Sequence, residues 1–108
     1  MIGIDLAKSV FQLHRADASG RPVSRKKLTR SQLCAFLEKH PPTIVAMEAC
    51  ASAHYWGREI GALGHEVRLI PPIYVKPFLK RHKNDAADAE AITEAAVRPS
   101  SSWSASAD

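Results

Sequence analysis

The order of short apolar segments and turn signals constrains the fold of this 108-residue chain more than any other feature. Three segments with strand character come first, and a turn sequence at 17–20 separates the second from the third. A segment with apolar residues at helical spacing follows, and then strand, helix and strand alternate. Strands joined by a helix are parallel, whereas strands joined by tight turns are antiparallel. The pattern therefore predicts an α/β domain whose mixed sheet has three antiparallel strands and then two parallel strands, flanked by helices.

Turn and cap residues set the bounds of the first predicted elements. The strands are expected at 1–5, 10–16, 22–28, 43–48 and 66–70. A first helix over 31–40 begins with a capping box formed by Thr29 and Gln32, and Pro41 ends it. Its apolar residues recur at helical spacing, so we expect one face to pack on the sheet.

Three further helices are expected in the second half of the chain. Ser52 is the predicted cap of the second helix, which Gly64 ends. The segment 73–83 is interpreted as a short helix followed by a basic loop. Asn84 is the predicted cap of an Ala-rich helix over 85–97, whose composition has high helix propensity. This order of strands and helices is typical of the ribonuclease-H-like arrangement.

Four carboxylates fall where such a sheet would gather them. Asp5 ends the first strand and Glu48 ends the fourth, and neighbouring parallel strands bring their carboxyl ends to one edge. Asp85 and Asp88 are three residues apart and so lie on one face of the last helix. Hard divalent cations prefer several anionic oxygens, and a Mg²⁺ pair so held orients and cleaves a phosphodiester. The set predicts a catalytic Mg²⁺ centre, with Mn²⁺ as a substitute, made by all four carboxylates.

Each carboxylate also has a purely structural explanation. Asp85 and Asp88 near a helix N-terminus interact favourably with the helix dipole. Asp5 alone is consistent with a solvated strand end, and Glu48 with an ion pair to a nearby Arg or Lys. The ordered set of four, rather than any one member, favours the metal site.

Basic residues outnumber acidic ones by 15 to 11, which gives a formal net charge of +4. This balance favours polyanionic partners without requiring them. The candidates for phosphate contact are Lys8, Lys76, Lys80, Arg81 and Lys83. The run 25–27 is a weaker candidate, because charge runs are usually solvated faces. Tyr55 and Trp56 have rings that stack on bases, but on a helix between two strands such residues more often lie in the core.

Several other kinds of site have little support in the sequence. Cys34 and Cys50 have neither the spacing of zinc ligands nor a disulfide framework, and we expect two reduced, half-buried thiols. The five histidines form no H-x-H or H-E-x-x-H motif, and there is no Gly-rich phosphate loop. No apolar run approaches the roughly 20 residues that span a bilayer, so a cytoplasmic location is expected.

Several stretches of the chain together resemble one protein family. They are IGIDLAK (2–8), MEAC (47–50) continuing through His54-Tyr55-Trp56, GHEV (64–67), Pro71-Pro72, YVKP (74–77) and KNDAADAEAI (83–92). Over residues 2 to 99 the sequence resembles the N-terminal domain of the DEDD transposases of the bacterial insertion-sequence family one hundred and ten. The resemblance implies a RuvC-like fold, Mg²⁺ dependence and recombination of element DNA with target DNA, directed in some members by a structured guide RNA.

The resemblance also assigns residues and domains. It places the catalytic, metal-binding tetrad on Asp5, Glu48, Asp85 and Asp88. Proteins of that family are much longer, with a helical linker and a C-terminal domain whose serine is implied as the nucleophile that joins DNA. The likeness breaks at residue 100, so we expect a RuvC-like domain over 1–99 and a disordered or frameshifted tail over 100–108. A truncated chain of this kind is expected to be inactive alone, and homo-oligomers are consistent with the family's need to join two DNA partners.

Two other functions fit parts of the sequence. One is a non-catalytic remnant that folds and only binds DNA or RNA. The other is half of an actin-like or sugar-kinase ATPase, because those proteins also begin with an I-G-I-D-type strand. Their phosphate loop needs small or hydroxyl residues and Gly after the aspartate, whereas Leu6-Ala7-Lys8 follows here. The chain is also too short to close over a nucleotide, which disfavours the ATPase.

Overall fold

The computed structural model describes residues 1–6, 10–17, 19, 21–79, 87–97 and 104–105. The strands in this part of the chain are β1 (Ile2–Asp5), β2 (Val10–Ala16), β3 (Pro22–Thr29), β4 (Ile44–Glu48), β5 (Glu66–Ile70) and β6 (Ser104–Ala105). The helices are α1 (Arg30–Lys39), α2 (Ala51–Ala62), α3 (Pro72–Leu79) and α4 (Ala87–Ala96). All six strands form one sheet, in the order β3-β2-β1-β4-β5-β6.

The directions of the strands confirm the predicted fold class. β1, β2 and β3 form an antiparallel meander, while β4 lies parallel to β1 and β5 parallel to β4. β1 is therefore central, with an antiparallel neighbour on one side and a parallel neighbour on the other. The architecture is an α/β mixed sheet flanked by helices, as in ribonuclease-H-like proteins.

A short strand also occurs in the segment expected to be a tail. Ser104 and Ala105 lie antiparallel to Leu69 and Arg68 at the edge of the sheet. The division of the chain into a domain over 1–99 and a tail over 100–108 stays a prediction, because the other residues of that segment are outside the described part.

The face of the sheet that packs against α1 and α2 carries the larger core, and we call it the first face. The strand residues of this core are Ile2, Ile4, Phe11, Leu13, Val45, Met47, Val67 and Leu69. Trp56 of α2 meets Phe11 edge-on, with ring centroids 5.2 Å apart, and is buried as expected. Tyr55 is 51% exposed, so the expectation of a core position is wrong for this residue, because it lies on the outer side of the same helix.

The opposite face, which we call the second face, packs against α4 and α3. Its core combines Ala46 and Ile70 from the sheet with Val75 of α3 and four α4 residues, three of which are alanine. These α4 residues are Ala91, Ile92, Ala95 and Ala96. Alanines on α4 and Ala46 and Gly3 on the strands let the helix lie close to the sheet, and the approach is close at Gly3. An ideal Cβ at Gly3 would lie 2.6 Å from the carbonyl oxygen of Ala89 and would overlap the hydroxyl of Thr93.

The turn between β2 and β3 is held by one carboxylate. Asp17 Oδ1 accepts hydrogen bonds from the Ser19 hydroxyl at 2.7 Å and from the backbone N–H groups of Ser19 at 2.9 Å and Arg21 at 3.0 Å. These hydrogen bonds, first the one from the Ser19 side chain and then the one from the Arg21 backbone, lower the pKa of Asp17. The turn is therefore an Asx-type turn that fixes the register of the hairpin.

The structure confirms one predicted helix cap and corrects another. Thr29 and Gln32 form the reciprocal capping box at the start of α1. Ser52 does not cap α2, because the helix begins earlier, with Cys50 as the N-cap residue and no side-chain cap hydrogen bond. Ser52 therefore lies in the first turn. Gly64 ends α2 as predicted, with φ at +97°, a conformation that residues with a side chain rarely adopt.

The two cysteines are free and exposed, which corrects the expectation of half-buried thiols. Cys34 follows the buried Leu33 on α1 and so lies at the side of that helix, and Cys50 precedes α2 at the sheet edge. Among the described residues, no helix is both long enough and apolar enough to cross a membrane.

His65 joins three elements from a buried position, and its role is structural. Its Nδ1 accepts the backbone N–H of Thr43 at 3.2 Å, and its Nε2 donates to the carbonyl oxygen of Leu37 at 2.7 Å. The Thr43 bond requires an unprotonated Nδ1, which assigns the neutral Nε2–H tautomer. The imidazole thereby links the end of α1, the start of β4 and the start of β5.

Candidate metal centre at the sheet edge

Asp5 and Glu48 end two adjacent parallel strands. The register pairs Gly3 with Ala46 and Ile4 with Met47, so the next step along both strands places Asp5 beside Glu48. Both residues are half-buried. The backbones of neighbouring strands are about 4.8 Å apart, which is close enough for two carboxylates to share one cation.

The two carboxylates belong to the second face of the sheet. Side chains alternate along a strand, so Asp5 shares a face with Gly3 and Glu48 shares a face with Ala46. Ala46 lies in the core beneath α3 and α4, and Gly3 lies against Ala89 of α4. Asp5 and Glu48 therefore lie on the face that α4 covers.

The close approach at Gly3 also brings the start of α4 to this place. Asp88 directly precedes Ala89, the residue whose carbonyl oxygen lies over Gly3. Asp5 is two residues beyond Gly3 on the same strand. The packing thus brings the backbone of Asp88 to the strand that carries Asp5. The side chain of Asp88, the whole of Asp85 and the predicted cap Asn84 lie outside the described residues.

The two described members of the donor set fit a divalent cation in their chemistry. Asp5 and Glu48 supply carboxylate oxygens from rigid strand ends, which is the chemistry that Mg²⁺ prefers. In the described ranges, no group of three or more His, Cys, Asp or Glu side chains comes together. Two of the four predicted ligands are brought side by side, and the tetrad as a whole stays a prediction.

The structure describes one of the five predicted phosphate-binding residues. Lys76 is exposed in the last turn of α3, the helix that follows directly from the carboxyl end of β5. Because Glu48 pairs with Ile70 at that end of β5, α3 begins at the edge that carries the two carboxylates. Lys8, Lys80, Arg81 and Lys83 lie outside the described residues.

One polar neighbour of the site was missed from the sequence. Gln12 of β2 pairs directly with Asp5 and is half-buried on the same face. A glutamine in the second strand carries no motif, and its position follows only from the register of the hairpin. A count of strand residues back from the turn at Asp17 is the signal that locates it.

Comparison with known proteins gives a consistent family. A model of the DEDD transposases of the IS110 type, described as "Transposase", matches residues 2–107. The chain is 59% identical over 99 residues to the "Probable family 20 transposase" of Pseudomonas aeruginosa, covering 92% of this chain and 29% of that protein. It is 53% identical over 100 residues to the transposase for insertion sequence element IS1328 of Yersinia enterocolitica, covering 93% of this chain and 30% of that protein.

The likeness extends to a more distant relative and covers a similar part of it. The transposase for insertion sequence element IS1111A of Coxiella burnetii is 40% identical over 100 residues, which cover 93% of this chain and 28% of that protein. The chain thus spans less than a third of the length of these curated relatives. Its strand order and the match over residues 2–107 agree, and the chain belongs to the DEDD transposase family of IS110-type insertion sequences.

Proposed function

We propose that this chain is the metal-binding part of an insertion-sequence transposase, and that Asp5, Glu48, Asp85 and Asp88 bind Mg²⁺ and act on DNA. The observation that carries the proposal is the placement of Asp5 and Glu48 at the ends of adjacent parallel strands, beneath the helix that bears Asp88. Membership of the transposase family supports the same assignment. Mn²⁺ is the expected substitute, because it accepts the same oxygen ligands.

Each part of the chain has its own task in this proposal. Asp5 and Glu48 provide fixed carboxylates from the sheet, and Asp85 and Asp88 provide the other two. Mg²⁺ held by such a set supplies Lewis-acid activation of a phosphodiester and of the attacking oxygen. Lys76 lies on α3, the helix that begins at the same end of the sheet, and is proposed to bind a neighbouring phosphate, together with Lys8, Lys80, Arg81 and Lys83.

The scope of the proposal follows from the length of the relatives. Because the chain spans 25–30% of each of its curated relatives, we propose that it does not complete recombination alone. The proposed partners are the DNA of the element ends and the target, a structured guide RNA, and a second copy of the transposase. The cytoplasm, where DNA and Mg²⁺ are both present, is the proposed location.

A calorimetric titration with Mg²⁺ and with Mn²⁺ tests the centre directly. We expect the parent chain to bind the metal, and Asp5→Asn and Glu48→Gln each to weaken binding by at least about tenfold, since each removes a charged ligand. The double variant Asp85→Ala, Asp88→Ala should lose binding in the same way. Glu38→Gln is the matched control, because Glu38 is an exposed acid on α1, against the first face, and should leave the affinity unchanged.

The outcome also separates the proposed centre from the non-catalytic alternative. Loss of metal affinity in all three site variants, with Glu38→Gln unaffected, supports the four-carboxylate centre. A folded parent that binds neither cation would contradict it. If the parent chain has no metal affinity, and a variant without all four carboxylates still binds nucleic acid, the results favour a remnant that only binds DNA or RNA.

A further inference from the structure

A row of polar residues crosses the second face of the sheet at the level of the candidate centre. The register pairs Asp5 with Gln12, and Gln12 in turn with Lys27 of β3. Directly opposed residues on neighbouring strands point to the same face. With Glu48 next to Asp5, the row across four strands is Glu48, Asp5, Gln12 and Lys27.

The contacts of β3 show independently which way Lys27 points. Arg25, two residues earlier, forms an ion pair with Glu90 of α4 at 3.4 Å, so it lies on the second face. Lys26, between them, lies on the first face, with its Nζ 5.4 Å from the centroid of the Phe36 ring of α1. Alternation along the strand therefore places Lys27 on the same face as Arg25 and the two carboxylates.

The row is closed at one end and open at the other. Beyond Glu48 the next residue is Ile70, which is fully buried against α3 and α4. In the other direction Gln12 is half-buried and Lys27 is exposed. Two strand spacings separate Asp5 from Lys27, or about 10 Å between backbones. This is roughly the rise of three nucleotides along one DNA strand, at about 3.4 Å each.

We propose that Lys27 binds a backbone phosphate of the DNA strand whose nearby phosphodiester reaches Asp5 and Glu48, with Gln12 contacting the strand between them. The proposal deepens the proposed function and rests on it for the identity of DNA as the substrate. A DNA strand that approaches along the row runs from the ammonium group of Lys27 to the carboxylate pair. It does not cross the buried Ile70. The neighbouring Lys26 takes no part, because it lies on the other side of the sheet.

A structural role for Lys27 gives a different expectation. Lysines on an exposed edge strand hinder pairing with another sheet, and Lys26 serves that purpose as well as Lys27. The two residues are adjacent, both exposed and equally charged. They differ in the face on which they lie, so a comparison of the two alanine variants separates DNA binding from protection of the edge.

The test is the salt dependence of DNA binding by the parent chain, Lys27→Ala and Lys26→Ala. Binding of a short fluorescent DNA duplex is followed by anisotropy over a range of NaCl concentrations in EDTA. We expect Lys27→Ala to weaken binding and to lower the slope of log K against log salt by about 0.9, the value for one phosphate contact. Lys26→Ala should keep the parent's slope, and Lys27→Arg should have the parent's slope as well. Gln12→Ala should weaken DNA binding without changing the slope.

Each result bears on the proposal. Equal effects of Lys26→Ala and Lys27→Ala, absence of DNA binding by the parent, or a Lys27 effect with an RNA hairpin and none with DNA would overturn it. Thermal melts of both variants verify that the edge strand is intact. EDTA removes divalent cations, so the DNA-binding test does not depend on the metal. If only Lys27→Ala lowers the slope of log K against log salt, and calorimetry detects no metal binding, the proposed metal centre is refuted and the phosphate contact stands. If calorimetry detects metal binding but the salt slopes of Lys27→Ala and Lys26→Ala are identical, the metal centre stands and the Lys27 phosphate contact is refuted.

Discussion

Gly3 decides how closely α4 approaches the central strand. Any side chain there would meet the backbone carbonyl of Ala89 and the Thr93 hydroxyl, which itself donates to that carbonyl at 2.9 Å. Backbone atoms in a helix cannot rotate away as the end of a flexible side chain can. The position of the last helix on the sheet therefore depends on one missing side chain.

Gly3→Ala should accordingly destabilise the protein. We expect a loss of about 1–3 kcal/mol in the free energy of unfolding, because the added methyl overpacks a closed contact. If the metal centre is as proposed, the displaced helix should weaken metal affinity too. Gly61→Ala is the control, since a Cβ there meets nothing within 4 Å in α2 and should be neutral or stabilising by up to about 1 kcal/mol. Equal denaturation midpoints for both variants would refute the close contact.

His65 provides a second residue-scale prediction. His65→Leu keeps an apolar body but leaves the Thr43 N–H and the Leu37 carbonyl without the imidazole. We expect a loss of about 2 kcal/mol, the cost of leaving buried polar groups unsatisfied. His54→Leu, at an exposed position on α2, should change little in the same urea titration. A His65→Leu protein as stable as the parent would mean that water replaces both hydrogen bonds.

At the scale of elements, local chemistry explains which boundaries the sequence predicts well. The capping box of α1 involves residues three apart, and the turn at Asp17 involves residues within four positions. Both can be recognised from the sequence alone, because they depend only on neighbouring residues. The start of α2 is different, because the exit of β4 from the sheet sets it. Ser52 is a good cap residue that lies two positions too late, since the chain already turns into the helix at Cys50.

The capping box gives a prediction at this scale. Thr29→Ala removes the oxygen that accepts the Gln32 N–H, and we expect a loss of about 1 kcal/mol in stability. Ser31→Ala, in the first turn of the same helix, is the comparison and should cost less. Thermal unfolding followed by circular dichroism measures both. If the two variants melt together, the cap contributes nothing beyond general helix propensity.

At the scale of the whole molecule, the fold was predictable from the sequence and the neighbours of the candidate site were only partly so. Strand order follows from short connections and helical crossovers, which leave a strong pattern of turns and apolar runs. The approach of Asp5 to Glu48 follows from the same rules. The position of Gln12 opposite Asp5 does not, because it depends on the register of a hairpin. The exposure of Tyr55 does not either, because α2 has apolar residues on more than one side.

The contact between Gly3 and α4 also has a consequence for the time at which the protein can act. A ribosome releases the N-terminal residues first, so β1 with Asp5 emerges long before Ala89 and Thr93, which pack onto it. The second face of β1 therefore stays uncovered until α4 has been synthesised. If the metal centre is as proposed, its carboxylates cannot come together on a nascent chain that is still short of α4, so metal binding has to wait until that helix has been synthesised.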